Sequence, residues 1–142
     1  MWKDKATKTN MPYTIEYDPQ GIITIKVQGQ LTMSIIRKIT GEALQLAKEM
    51  DCHRALNDLR EAKVELSIID VYNLPKLLLE YASTLGVQGF QLKRAVVVSS
   101  GEKLAYFFET VSRNRVQNVK IFYDDDEPAR QWLLTPQDAF GE

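Results

Sequence analysis

The sequence is short of the side chains that most small enzymes rely on. Its 142 residues include one cysteine, Cys52, and one histidine, His53. A lone cysteine cannot close an intramolecular disulfide, and the resulting expectation is a cytoplasmic protein in a reducing compartment. Cys52 and His53 are adjacent, and neighbours on a strand point to opposite faces. They therefore make neither a nucleophile–base couple nor a metal site. Charge of one sign is also missing. Eighteen Lys and Arg stand against nineteen Asp and Glu, a formal net charge of −1, so no overall field draws the chain to nucleic acid or to an anionic membrane. No apolar run approaches the ~20 residues of a membrane-spanning helix. Residues 1–12 begin with a Lys- and Thr-rich stretch that lacks the apolar centre of a secretory signal, and they are expected to form a flexible tail.

Other chemistries fail on spacing. A phosphate-binding loop needs Gly-x-x-x-x-Gly-Lys-Ser/Thr. In Ser99-Ser-Gly-Glu-Lys103, Glu102 separates Gly101 from Lys103 and no earlier glycine is in place, which excludes an ATPase. Asp124-Asp-Asp-Glu127 lacks the alternating ligands of a calcium loop, and reads as a solvated loop with helpful charge at a helix start. No cofactor and no metal are implied.

What is present is ordinary globular material, 44% hydrophobic and 26% charged, enough for one domain with a real core. Tyr13, Ile15 and Tyr17 alternate with polar residues, as do Ile23, Ile25 and Val27, and Asp18-Pro-Gln-Gly21 between them is a turn. This predicts an antiparallel hairpin, its second strand spanning Ile22 to Gln28 and stopped by Gly29. Ile36, Ile39, Ala43, Leu46, Ala47 and Met50 fall at helical spacing behind Thr32 or Ser34 as cap. A strand is expected over Arg54–Leu59 and a loop over Glu61–Glu65. Ser67-Ile-Ile-Asp70 has the form of a capping box. A short helical turn is expected to follow, and then a second helix that starts at Pro75 and stops at Gly86, with one bent helix over residues 67–84 left open as the alternative. Ala95-Val-Val-Val98 suits a strand covered on both faces. Ser99 to Glu102 reads as a capping box for a helix carrying Leu104, Phe107, Phe108 and Val111. Val119–Tyr123 is a fifth strand, and Pro128 opens a last helix with Trp132, Leu133 and Leu134. Residues 135–142 read as a second tail.

The order is ββαβαβαβα, one α/β domain over residues 13–134 with a mixed five-stranded sheet and an antiparallel hairpin strand at its edge. Ligands of such sheets gather beyond the carboxyl ends of the strands. Three loops are expected to converge there, over 58–63, 99–102 and 124–127. Asp58, Arg60, Ser99 and Ser100 are the candidate residues for contact with a partner or ligand. Asp58 is not a receiver-type phospho-acceptor, because no lysine ends the last strand and the hairpin supplies no acidic pair for Mg²⁺.

The hairpin Thr14-Ile-Glu-Tyr-Asp-Pro-Gln-Gly-Ile-Ile-Thr-Ile25, the Asn57-Asp-Leu-Arg60 strand end, the Arg94-Ala-Val-Val-Val98 strand and the closing Asp126-Glu-Pro-Ala-Arg-Gln-Trp132 together resemble the SpoIIAA-like family, relatives of the STAS (sulfate transporter and anti-sigma antagonist) domain. The resemblance spans roughly residues 13–134. It implies a non-enzymatic regulatory module that binds a protein partner or a second copy of itself, or alternatively a carrier of a small apolar ligand between its helices. Anti-sigma antagonists carry a phosphorylatable serine directly after an aspartate. Here Leu59 follows Asp58, and the nearest serine downstream, Ser67, is the one candidate phosphosite, in competition with its use as a helix cap.

Overall fold

The computed structural model describes residues 11–86, 92–115 and 117–136. Five strands, β1 (Tyr13–Tyr17), β2 (Ile23–Leu31), β3 (Arg54–Val64), β4 (Lys93–Val98) and β5 (Asn118–Tyr123), lie side by side in chain order in one sheet. Four helices are found among the described residues: α1 (Met33–Met50), α2 (Ile68–Leu85), α3 (Ala105–Asn114) and α4 (Glu127–Leu134). β1 is antiparallel to β2, and every later pairing is parallel. The expected fold and element order are therefore present, with the hairpin strand at the sheet edge.

The hairpin forms for the reason its sequence gives. Asp18 Oδ1 accepts from the backbone N–H groups of Gln20 and Ile22, and Gly21 takes a φ of +79° that other residues resist. α1 is capped by Thr32, whose Oγ1 accepts from Ile35 N.

Pairing in chain order decides where the helices go. Three successive parallel crossovers of the usual right hand put their helices on one face. There α1 and α2 bury Ile39, Leu46, Leu78 and Ala82 against Ile15, Ile23, Ile25 and Val27. α3 sets Ala105 against Val96, Val98, Val119 and Ile121. Among the described residues only α4 covers the opposite face, with Ala129 and Leu133 on Ile22, Leu56, Ala95 and Val97.

Several expected boundaries are corrected. β2 runs through Gly29 to Leu31, because Gln28–Leu31 pair with Glu61–Val64. Gly29 bends the strand at φ +138° instead of ending it. Likewise 61–64 is strand, not loop. The register moves from Lys26↔Asp58 to Gln28↔Glu61, so β3 holds an extra residue there, a β-bulge. Inward positions on β3 change parity across it, from Ala55 and Leu59 to Ala62 and Val64, which hides the period of two. Of the two readings left open over residues 67–84, the structure has the single helix, α2, with Pro75 inside it. Its buried stripe, Val71, Pro75, Leu78 and Ala82, continues across the proline onto the same core, and this packing offsets the missing N–H. Finally, α3 starts at Ala105 with no side-chain cap, so Ser99–Glu102 is not a capping box.

Residues 1–10 and 137–142 of the two expected tails lie outside the described residues. Met11 packs against the core, and Pro12 O accepts from Gln28 N at 2.7 Å.

Because α4 alone shields its face, Leu133, with no solvent exposure, is the test of that layer. Leu133→Ala should cost about 3 kcal/mol in urea denaturation, far more than an exposed leucine such as Leu79→Ala.

Candidate functional site

At the carboxyl edge of the sheet the bulge in β3 sets Asp58 and Arg60 against each other. Asp58 Oδ1 accepts from Arg60 N at 3.2 Å and Nε at 2.9 Å, and Oδ2 accepts from Nη2 at 2.7 Å. Arg60 Nη1 donates to Asp124 O at 3.1 Å. The backbone oxygen of Arg60 accepts from Ser99 Oγ at 3.0 Å. Ser100 donates its N–H to Asp124 Oδ1 at 2.8 Å and its hydroxyl to Oδ2. The four candidate residues are thus brought together by a fifth, Asp124, which holds a φ of +69° while its N–H donates to Val98 O. The sequence signal for that role is the residue type: aspartate tolerates the left-handed region better than most side chains.

The network continues past the corner. Asp126 lies 3.9 Å from Arg60 Nη2 and accepts from Arg130 Nε at 3.1 Å, and Arg130 Nη1 donates to Asp18 in the hairpin turn at 2.7 Å. The middle of β3 and the ends of β4 and β5 are therefore tied to α4 and to the β1–β2 turn. Hydrogen bonding from Arg60 holds the Asp58 carboxyl below the usual carboxylate range, and Asp58 in turn raises the guanidinium. Near neutral pH Asp58 is ionised and engaged through both oxygens, with no proton to give. The corner is a closed frame.

Ser67 stands apart from it. Its Oγ accepts from Asp70 N and its N–H donates to Asp70 Oδ2, each at 3.0 Å, the expected capping box with Asp in the place of Glu. Just beyond, Ile68, Ile69 and Tyr72 are 63%, 71% and 51% exposed, and the Arg115 guanidinium lies 4.8 Å from the Tyr72 ring centre. Cys52 is buried, its thiol near Gly21 O at 3.3 Å and Arg54 O at 3.4 Å. Among the described residues no group of three or more His, Cys, Asp or Glu side chains is placed to hold a metal ion, and no helix is long and apolar enough to cross a membrane.

The helix-covered face holds a second feature. A cavity of about 150 Å³ lies between the sheet, α1, α2 and α3, lined by Leu59, Val71, Leu78, Val96 and Phe108. A smaller one of about 80 Å³ adjoins it, and Asn57 and Arg94 line both.

No protein-family model matches the chain, and no curated protein matches it. Several chains of solved structures are similar, these two among them. One is an uncharacterised protein of the DUF3478 family with a SpoIIAA-like fold from Shewanella loihica PV-4, at 22% identity and a TM-score of 0.50, covering 85% of this chain and 91% of that one. The other is a chain in the complex of the diguanylate cyclase SiaD with its activator SiaC from Pseudomonas aeruginosa, at 16% identity and a TM-score of 0.40, covering 82% of this chain and 96% of that one. The chain has a SpoIIAA-like fold, in agreement with the resemblance carried by its hairpin and strand motifs.

A carboxyl whose pKa is lowered by folding adds stability above its unfolded value, and that stability is lost as pH falls through the folded value. Asp58→Asn should therefore destabilise the protein by about 1 kcal/mol at pH 7. The gap to wild type should close below about pH 4. Urea midpoints measured from pH 7 to pH 3 would show it.

Proposed function

We propose that this chain is a non-enzymatic interaction module of the cytoplasm, and that it docks a protein partner through the first turns of α2. The observation that carries this reading is the exposure of Ile68, Ile69 and Tyr72 within five residues. Large side chains clustered in this way on a surface favour contact with another protein. The capping box fixes the turn that presents them, so little ordering entropy is lost on docking.

In this reading Asp58, Arg60, Ser99 and Ser100 are the frame beside the contact, not the contact itself. They lock the middle of β3, whose later residues lead the chain through Glu65 and Ser67 into α2. Their own hydrogen-bonding capacity is spent on one another and on Asp124, which supports a structural role for the corner over a chemical one. Ser67 keeps one route of control. A phosphate there would sit at a helix N-terminus, where its charge is favourable, beside the proposed contact surface.

The test is a comparison of partners captured from native lysate by immobilised wild type, Ile69→Asp and Tyr17→Asp, with self-association followed by sedimentation. Ile69→Asp should change folding stability by less than about 0.5 kcal/mol and weaken capture at least ~10-fold. Tyr17→Asp, on a different element, should bind as wild type does. If Ile69→Asp keeps the wild-type partner at wild-type affinity, the proposed surface is wrong. If wild type sediments as a dimer and Ile69→Asp as a monomer, the partner is a second copy.

A further inference from the structure

Arg94 lies away from the corner, on the face that the helices cover. It lies on β4 in register with Ala55 of β3 and Val119 of β5. Val96 and Val98 follow it at every second position, so it shares their face, beneath the helices. Nη2 donates to Gln117 Oε1, and Gln117 is itself held by Pro75 O at 2.9 Å. The Phe108 ring centre lies 6.0 Å from the guanidinium carbon. Nε is sealed from solvent and has no hydrogen-bond partner among the described residues. No carboxylate comes within 4.0 Å of the guanidinium among the described residues.

An unpaired charge in such a place is costly, and folds keep one where something completes it. Burial lowers its pKa to about 10, which leaves it protonated at neutral pH. Water is a poor complement here, since the lining of the larger cavity is mostly aliphatic and aromatic. Two polar neighbours, Thr40 and Asn57, line both cavities, and Glu102 lines the larger one. Glu102 already accepts from Leu104 N at 3.1 Å.

We propose that the cavity binds a small carboxylate with an apolar body, its head group on the Arg94 guanidinium and its body among Val96, Phe108 and Leu78. The chemistry selects the ligand. A planar carboxylate accepts from two N–H groups of an arginine at once. A cavity of about 150 Å³ matches one benzene-sized ring. A neutral apolar molecule would bring the guanidinium no counter-charge. The site lies on the opposite side of the sheet from Asp58, which is in register with Lys26 and Val97, and it does not depend on the proposed docking surface.

Titration calorimetry with benzoate and with neutral benzamide tests this on wild type, Arg94→Gln and the corner variant Asp58→Asn. Wild type and Asp58→Asn should bind benzoate saturably and at least ~10-fold more tightly than benzamide. Arg94→Gln should lose that preference. The Arg94 Nε–H resonance of wild type gives a reading independent of whether Arg94→Gln folds. It should shift with benzoate and stay in place with benzamide. Absence of saturable benzoate binding overturns the proposal. So does equal affinity for the two probes, a folded Arg94→Gln that binds benzoate as wild type does, or an Nε–H signal that benzoate leaves unmoved.

Discussion

The handedness of the parallel crossover governs this molecule. With β2 to β5 pairing in chain order, each crossover must return its helix to the same face. Three helices therefore crowd one side and α4 is left alone on the other. The same order removes the crevice that α/β sheets usually offer a ligand. That crevice opens where the strand order reverses, and here it never does. What occupies the carboxyl edge instead is a lattice of hydrogen bonds running from Asp58 through Arg60, Asp124 and Asp126 to Arg130 and Asp18.

Two arginines show how far the faces differ. Arg60 meets a carboxylate through a bidentate contact, and the pair strengthens the charged form of both partners. Arg94 has an amide for a neighbour, an aromatic ring in reach and no counter-charge among the described residues, and burial weakens its charged form. Both sit on adjoining strands of one sheet. The first is satisfied by the fold, whereas the second has hydrogen-bonding capacity that the fold leaves unused. Crowding three helices over one face also leaves gaps between them and the sheet, and Arg94 borders those gaps.

Much of the frame was legible in the sequence because local rules and tertiary packing agree there. The Asp18–Gly21 turn, the Ser67–Asp70 box, the Gly86 stop and the Ala95–Val98 run all act as their residue types require. The misreadings share one cause, a local signal overridden by packing. Gly29 and the β3 bulge lie within paired strands, so a glycine looked like a stop and a parity change looked like a loop. Pro75 stays inside a helix because the buried stripe is continuous on both sides of it. The candidate corner was legible as a convergence of Asp58, Arg60, Ser99 and Ser100, but its organiser, Asp124, was hidden in an acidic run. Arg94 carried a signal in its spacing, two and four residues before Val96 and Val98 on the same face. That spacing marks a charge turned inward, and it is easily passed over at the start of a hydrophobic strand.

The carboxyl edge is proposed as structural and the helix-covered face as the binding face, and locating a bound anion tests that division directly. A crystal soaked with 4-bromobenzoate would place the ligand by the anomalous signal of its bromine. The account predicts a peak beneath α2 and α3 with the carboxylate on Arg94. A peak at the Asp58–Arg60 corner, with the cavity empty, would contradict it.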